Sequence, residues 1–382
     1  MKRLRAFFLT GAGFLILAEI ALRLLPVSQG FYLDDITVDQ PVARRLPDRH
    51  GVSSVGWSMT DASRVWINGQ GFIYHRDFDR ETDEKRIVII GDSQIEAPLI
   101  PTEVSLAKTM ERNLNDRIRV FPVGMSGAPL SQYLVWYQYM RETYDPELVI
   151  FVISPNDYDE SFEAYGLFPG FHYFSENPDG GISLRLREYR RALFSRIASS
   201  SDLAAYLLNN LGLMTFLKAQ FRKIVVEDQR ALTRLEESAA PSPSTDTSDT
   251  SNDQRFAAGL QAIKLFFERL DQGERSRPEI LFLMAPENQG AYSNSEFIQP
   301  DSTRYSRLGE ALRSAASSNG YTAADLKPVF HRDFENCGFP LEFSNDVHWS
   351  VRGQAVVANM LSVWLSHKFG FDASAQGLDC QK

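Results

Sequence analysis

The chain predicts an α/β protein: a three-layer α/β/α sandwich around a central parallel sheet, with an N-terminal transmembrane helix and a helical insertion. Short apolar runs such as Ile87-Val88-Ile89-Ile90 and Leu148-Val149-Ile150-Phe151-Val152-Ile153 alternate with helical patterns, which implies right-handed crossovers and parallel strands. Glycine or turn-forming residues follow those strands at once, in Gly91-Asp92-Ser93, Gly124-Met125-Ser126-Gly127 and Ser154-Pro155-Asn156-Asp157. A long apolar run precedes all of this at the N-terminus. With 382 residues, 43% of them hydrophobic, the chain can bury one large core with appendages around it.

Met1-Lys2-Arg3-Leu4-Arg5 opens the chain, and a largely apolar run from Phe7 to Leu25 follows, broken by Glu19 and Arg23. The run is about long enough to span a bilayer. Basic residues ahead of it predict a cytoplasmic N-terminus and a periplasmic remainder after Pro26, with the inner membrane as a partner through this helix. A cleavable signal peptide and an amphipathic buried helix are the alternatives, and no small-x-small cleavage site follows the run. Glu19 and Arg23 form an i,i+4 pair, expected either to neutralise each other or to sit near the interface.

The expected division is an anchor over 1–26, a juxtamembrane arm over 27–85 and a main domain over 86–382 carrying an insertion at 158–255. In the arm, Trp57, Trp66 and Asn68-Gly69-Gln70-Gly71-Phe72 suggest short strands and turns. The main domain then reads strand 86–91, helix 103–115, strand 118–123, helix 129–143 and strand 147–154. The insertion is rich in aromatics and holds a helical patch over 200–224. Its apolar part, Leu203 to Leu217, reads as a helix covering the core or the rim of a site, or as a lid. A Ser/Thr/Pro/Asp tract over 239–253 is of low complexity and is expected as a disordered loop. Alternation resumes with helix 254–271, strand 279–285, helix 302–317, a short strand 321–324 and a last helix 351–368.

A formal charge of −9 with no basic stripe argues against a nucleic-acid partner. Two cysteines, Cys337 and Cys380, fall in the part expected to be exported, where a disulfide between them is permitted. Two cysteines alone would leave a zinc site incomplete.

Ser93 stands where a buried strand breaks into a loop, the place at which parallel sheets gather ligand sites. It could serve as a nucleophile, or simply cap the helix that follows. Gly127, in a loop with two glycines, offers an N–H that can approach a ligand, or makes an ordinary turn. Asn156 could donate its side-chain amide, or act as a turn residue beside Pro155. His348 is one of six histidines, and Asp346 two positions earlier could orient its ring. All lie in loops of one sheet, so a parallel architecture brings them together and supplies a nucleophile, a base and oxyanion donors for acyl transfer.

With these blocks the chain resembles the SGNH hydrolase superfamily, also called the GDSL-type esterases and lipases. Gly91-Asp92-Ser93 matches the nucleophile segment, Gly127 the glycine loop, Asn156-Asp157 the third block, and Asp346 with His348 the last. The resemblance covers roughly 86–157 and 255–368. It implies a flavodoxin-like fold in which Ser93 attacks, His348 acts as general base, Asp346 orients it, and the Ser93 and Gly127 N–H groups and the Asn156 side chain hold the oxyanion. No cofactor is implied. The implied substrate is an acylated glycan or small ester, most similar to the O-acyl groups that anchored members remove from cell-surface or lipid-linked glycans. Transfer of the acyl group to a sugar hydroxyl passes through the same acyl-enzyme. A non-catalytic glycan-binding or assembly protein is the reading of another class. The chain departs from the pattern at Gln94, where leucine is usual, at Pro122, where many members have asparagine, and at Ser154-Pro155, where a glycine is usual. The acid also stands two rather than three residues before His348.

Overall fold

The computed structural model describes residues 2–37, 40–189, 200–213, 247–270, 277–286, 304–344, 347–373 and 379–380. The chain divides into two compact units, one of Met1–Tyr32, Gly51–Arg64 and Arg191–Ser251, the other of Leu33–His50, Val65–Arg190 and Asn252–Lys382.

The larger unit holds a five-stranded sheet. Its strands are β1 (Lys85–Gly91), β2 (Ile118–Gly124), β3 (Leu148–Ile153), β4 (Glu279–Met284) and β5 (Thr322–Asp325). They pair in the order β2-β1-β3-β4-β5, and every pairing is parallel. The connecting helices are α1 (Leu106–Asn113), α2 (Leu130–Tyr144), α3 (Thr247–Leu270) and α4 (Arg304–Ser318), with α5 (Lys327–Cys337) and α6 (Val351–Phe369) after the last strand. This is the expected parallel α/β architecture, and its 2-1-3-4-5 order is the doubly wound one whose switch point lies between β1 and β3. Right-handed crossovers send α1 to one face of the sheet and α2, α3 and α4 to the other, and α6 returns to the first face to pack on α1.

Covered on both faces, the central strands can be apolar throughout. Ile87 to Ile90 of β1 and all six residues of β3 are buried. Phe151 of β3 stacks on Phe282 of β4 at 5.2 Å and meets Phe266 of α3 edge-on at 5.4 Å. The arm residues of this unit pack on the sheet's helices: Trp136 of α2 donates its indole N–H to the Ala43 carbonyl at 2.8 Å. An antiparallel hairpin, His172–Glu176 with Ile182–Leu186, stands in the expected insertion.

The smaller unit begins with the helix Lys2–Leu22. Among the described residues no helix is long and apolar enough to cross a membrane, so the expected transmembrane helix gains no support here. Glu19 does pair with Arg23 at 2.9 Å, but it also has a task that sequence reading did not assign. Its carboxylate accepts from the Ser201 hydroxyl at 2.8 Å and from the N–H groups of Asp202 and Leu203 at 3.2 and 3.0 Å. It thereby caps a helical turn, Asp202–Ala205, which continues as a π-helical turn over Tyr206–Asn210. These turns form the start of the expected 200–224 patch, whose residues from 214 lie outside the described residues. Buried Asn210 then accepts from the Ser28 N–H at 2.9 Å and donates to Ser54 Oγ at 3.0 Å. The segments Arg49–Val55 and Thr60–Ile67 pair as a two-stranded sheet, matching the short strands expected there.

Three further differences concern secondary structure. Helix α3 starts at Thr247 rather than near 254, so the end of the low-complexity tract is helical; residues 239–246 lie outside the described residues. The hairpin at 172–186 and helix α5 were not expected. Cys337 at the end of α5 and Cys380 are joined by a disulfide, with Cα atoms 5.2 Å apart.

Candidate active site

Ser93 opens a single helical turn, Ser93–Glu96, directly beyond β1. Asp92 is the N-cap, its Oδ1 accepting from the Gln94 N–H at 2.9 Å, so capping does not occupy the serine. The Ser93 hydroxyl donates to Asp92 Oδ2 at 3.3 Å. Gly91 keeps this turn tight by its lack of a side chain: an added Cβ would lie 2.4 Å from Ile95 Cγ1. Burial pushes the Asp92 carboxyl up, against the stabilising Gln94 N–H and the nearby His348 imidazole.

His348 lines the same small cleft as Ser93, walled by Pro98, Leu99, Phe343 and Trp349. Its loop is held as a narrow ladder. Phe343 N–H donates to the His348 carbonyl at 3.0 Å, Glu342 bridges Trp349, and Ser350 N–H donates to the Leu341 carbonyl at 2.7 Å. Ser350 then caps α6. Behind the loop Arg352 binds Asp333 through two nitrogens at 2.8 Å and donates to the Asp379 carbonyl at 2.7 Å, beside the disulfide. Asp346, expected to orient His348, lies outside the described residues, as does Asn345.

Gly127 follows β2 and Asn156 follows β3, the two strands that flank β1. Gly91 and Gly124 stand in register, as do Ile90 and Phe151. Neighbouring strands are about 4.8 Å apart, so the three loops open side by side at one edge of the sheet. Gly127 has φ +77°, and the Phe168 ring lies on it so closely that an added Cβ would sit 2.3 Å from Cε2. The glycine loop is tied by Glu96, whose Oε2 accepts from the Ser126 N–H at 2.7 Å and hydroxyl at 2.5 Å, while Oε1 accepts from Arg45 Nε at 2.6 Å. Burial alone would raise the Glu96 carboxyl, but Arg45 and Ser126 hold it below its ordinary value.

Asn156 donates its side-chain amide to Glu160 Oε2 at 3.1 Å. The turn presenting it is built on buried Asp157, whose Oδ2 accepts from the Ser154 N–H at 2.7 Å and the Tyr133 hydroxyl at 2.8 Å. Burial, reinforced by the Asp92 carboxylate, pushes the Asp157 carboxyl well up. Asp157 is therefore a scaffold for Asn156 rather than an acid facing the cleft. Among the described residues no group of His, Cys, Asp and Glu is placed to hold a metal ion.

Sequence reading missed Glu96, Arg45 and Phe168 at this site. Glu96 carried a usable signal, an acid one helical turn after the serine; the others come from segments remote in the chain.

No family model and no curated protein sequence matches the chain. Among solved structures it is similar to a carbohydrate acetylesterase family member from Sinorhizobium meliloti, at 12% identity and a TM-score of 0.37, covering 75% of this chain and 99% of that one. A second carbohydrate acetylesterase from S. meliloti aligns at 10% identity and a TM-score of 0.34, covering 75% of this chain and 100% of its own. An inhibitor-bound aryl esterase from M. smegmatis aligns at 10% and 0.35, covering 74% and 99%. Likenesses this remote carry no argument about chemistry, so the functional reading rests on the residues of the site.

Proposed function

We propose that the chain is a serine ester hydrolase of SGNH type acting on O-acyl, chiefly O-acetyl, groups of a cell-surface or lipid-linked glycan. The observation that carries the reading is the placement of Ser93, Gly127 and Asn156 beyond three adjacent parallel strands at the switch point, with His348 in the cleft of Ser93.

Ser93 Oγ attacks the ester carbonyl while the His348 imidazole takes its proton. The carbonyl oxygen becomes an oxyanion facing the Ser93 N–H, the Gly127 N–H and the Asn156 amide, the donors that stabilise its charge. Collapse of the tetrahedral intermediate breaks the bond to the alcohol, which leaves with the proton from His348. Water then repeats the sequence on the acyl-enzyme, releasing the carboxylic acid and free Ser93. Asp346, two residues before His348, orients the ring and stabilises its charged form. No cofactor enters these steps.

Residues 1–26 anchor the chain to the inner membrane with the hydrolase on the periplasmic side. Support comes from the basic start and from Leu9, Phe14, Leu15, Ile16, Leu17 and Ile20, all exposed on their helix. Retention in the membrane pellet after alkaline carbonate washing, lost on deleting residues 1–26, is the expected result.

The test of the chemistry incubates the purified chain with p-nitrophenyl acetate, with and without a glycan acceptor, and follows free acetate and acetylated sugar. Acetate release that an acceptor does not divert supports hydrolysis. Acetylated sugar at the expense of acetate would make the enzyme a transferase, and neither product would contradict the reading.

A further inference from the structure

We infer that Gln94 is a positioning residue for His348, an inference that rests on the serine hydrolase reading above. Gln94 follows the nucleophile directly and is buried. Its carboxamide brackets the histidine: Oε1 accepts from the Trp349 N–H at 2.9 Å, and Nε2 donates to the Val347 carbonyl at 3.4 Å. His348 is the residue between those two peptide groups. A single side chain thus pairs with the loop as the edge of a neighbouring strand would, acceptor to donor and donor to acceptor.

The backbone of Gln94 is fixed as well. Its N–H donates to Asp92 Oδ1 at 2.9 Å, and its carbonyl accepts from Gln354 Nε2 of α6 at 2.9 Å. Gln354 Oε1 in turn accepts from the Leu106 N–H at the start of α1, at 3.0 Å. The segment bearing the nucleophile and the loop bearing the base, about 250 residues apart in the chain, are therefore joined through one buried amide. That amide holds the His348 backbone on both sides, while Phe343 holds its carbonyl. The imidazole then leaves a backbone that cannot tilt, and its reach to Ser93 Oγ is set before substrate binds. A leucine at this position would fill the space and make neither bond. A glutamate would keep the bond from Trp349 and lose the one to Val347.

Wild type, Gln94→Leu and Gln94→Glu are compared in steady-state hydrolysis of p-nitrophenyl acetate across pH, in the rate of Ser93 phosphonylation by a fluorophosphonate, and in thermal unfolding. Loss of alignment by about 1 Å costs on the order of 10²-fold. Gln94→Leu should lose about that much kcat, with KM changed by less than about twofold. Phosphonylation should slow in parallel, and the acidic limb of the kcat profile should move, because the base titrates in an altered setting. Gln94→Glu should fall between. A lowered unfolding temperature with kcat and pH profile unchanged would overturn the inference and leave Gln94 a packing residue. Should Gln94→Leu fail to fold, the same comparison is read from Gln94→Glu, with wild-type kcat and profile again overturning it. Absence of both hydrolysis and labelling in the wild type would overturn the hydrolase reading, and this inference with it; normal wild-type activity with an indifferent Gln94 would overturn this inference alone.

Discussion

Replacing Gly127 by alanine separates its proposed role as an oxyanion donor from its role in the fold. At φ +77° an alanine sits in the left-handed region, which costs about 1–2 kcal/mol. Its methyl would also lie 2.3 and 2.4 Å from Cε2 and Cδ2 of Phe168. That ring is 46% exposed, so it can swing outward, giving up part of its burial at a cost of about 1 kcal/mol. The stability loss is then about 2–3 kcal/mol. Catalysis should lose more: any relaxation of φ re-aims the Gly127 N–H, and removing one such donor lowers kcat by about 10²–10³. The assay pairs kcat for p-nitrophenyl acetate with urea unfolding, on Gly127→Ala and on Gly127→Ala/Phe168→Ala. The double variant removes the clash but also the rest of the ring's burial, and it leaves the alanine strain in place, so it should regain neither stability nor activity. A folded Gly127→Ala enzyme with kcat within about threefold of wild type would refute the claim that catalysis depends on the aim of the Gly127 N–H.

Asp346→Asn should lower turnover by about 10⁴ while Asn345→Asp changes little; an Asp346→Asn enzyme that keeps its activity with His348 still essential would make the site a Ser-His dyad. Glu96→Gln leaves Arg45 without its buried anion and should cost about 3–5 kcal/mol in urea unfolding at neutral pH. Because the Glu96 carboxyl is held below its ordinary 4.5 in the folded chain, its contribution is complete above about that pH and is lost as pH falls through the folded value. Wild type and Glu96→Gln should therefore converge in stability as pH falls below 4.5, and a constant gap between them would refute the pairing. Cys337 and Cys380 close a loop across a separation of 43 residues, worth about 4 kcal/mol in the chain-entropy account. Cys380→Ser should lower the urea midpoint as far as reductant lowers that of the wild type; an unchanged midpoint would contradict a stabilising cross-link.

The parallel sheet was legible because strands buried on both faces leave uninterrupted apolar runs, and each observed strand lies within a residue or two of its expected bounds. The candidate site was legible where its residues sit in loops directly beyond those runs, as at Ser93, Gly127 and Asn156. What was not legible depends on distant partners. Glu19 read as half of a local ion pair, whereas its carboxylate caps a turn at Ser201. Gln94 read as a mere departure from leucine, since nothing near it in sequence shows that Val347 and Trp349 will face it. Glu96 and Arg45 stand 51 residues apart and meet only once the arm is packed. Local signals misled elsewhere. Helix α5 was not expected, although Pro328 stands in its first turn, where proline is tolerated. The Ser/Thr/Asp residues from Thr247 read as loop although such residues favour a helix start.

Covalent labelling of Ser93 tests the central claim most directly. The purified chain is treated with a fluorophosphonate, digested and mapped by mass spectrometry, beside Ser93→Ala and His348→Ala. One phosphonate on the peptide bearing Ser93, none in Ser93→Ala, and labelling slowed by orders of magnitude in His348→Ala is the predicted result. Equal labelling of wild type and Ser93→Ala, or a label mapped to another serine, would contradict it.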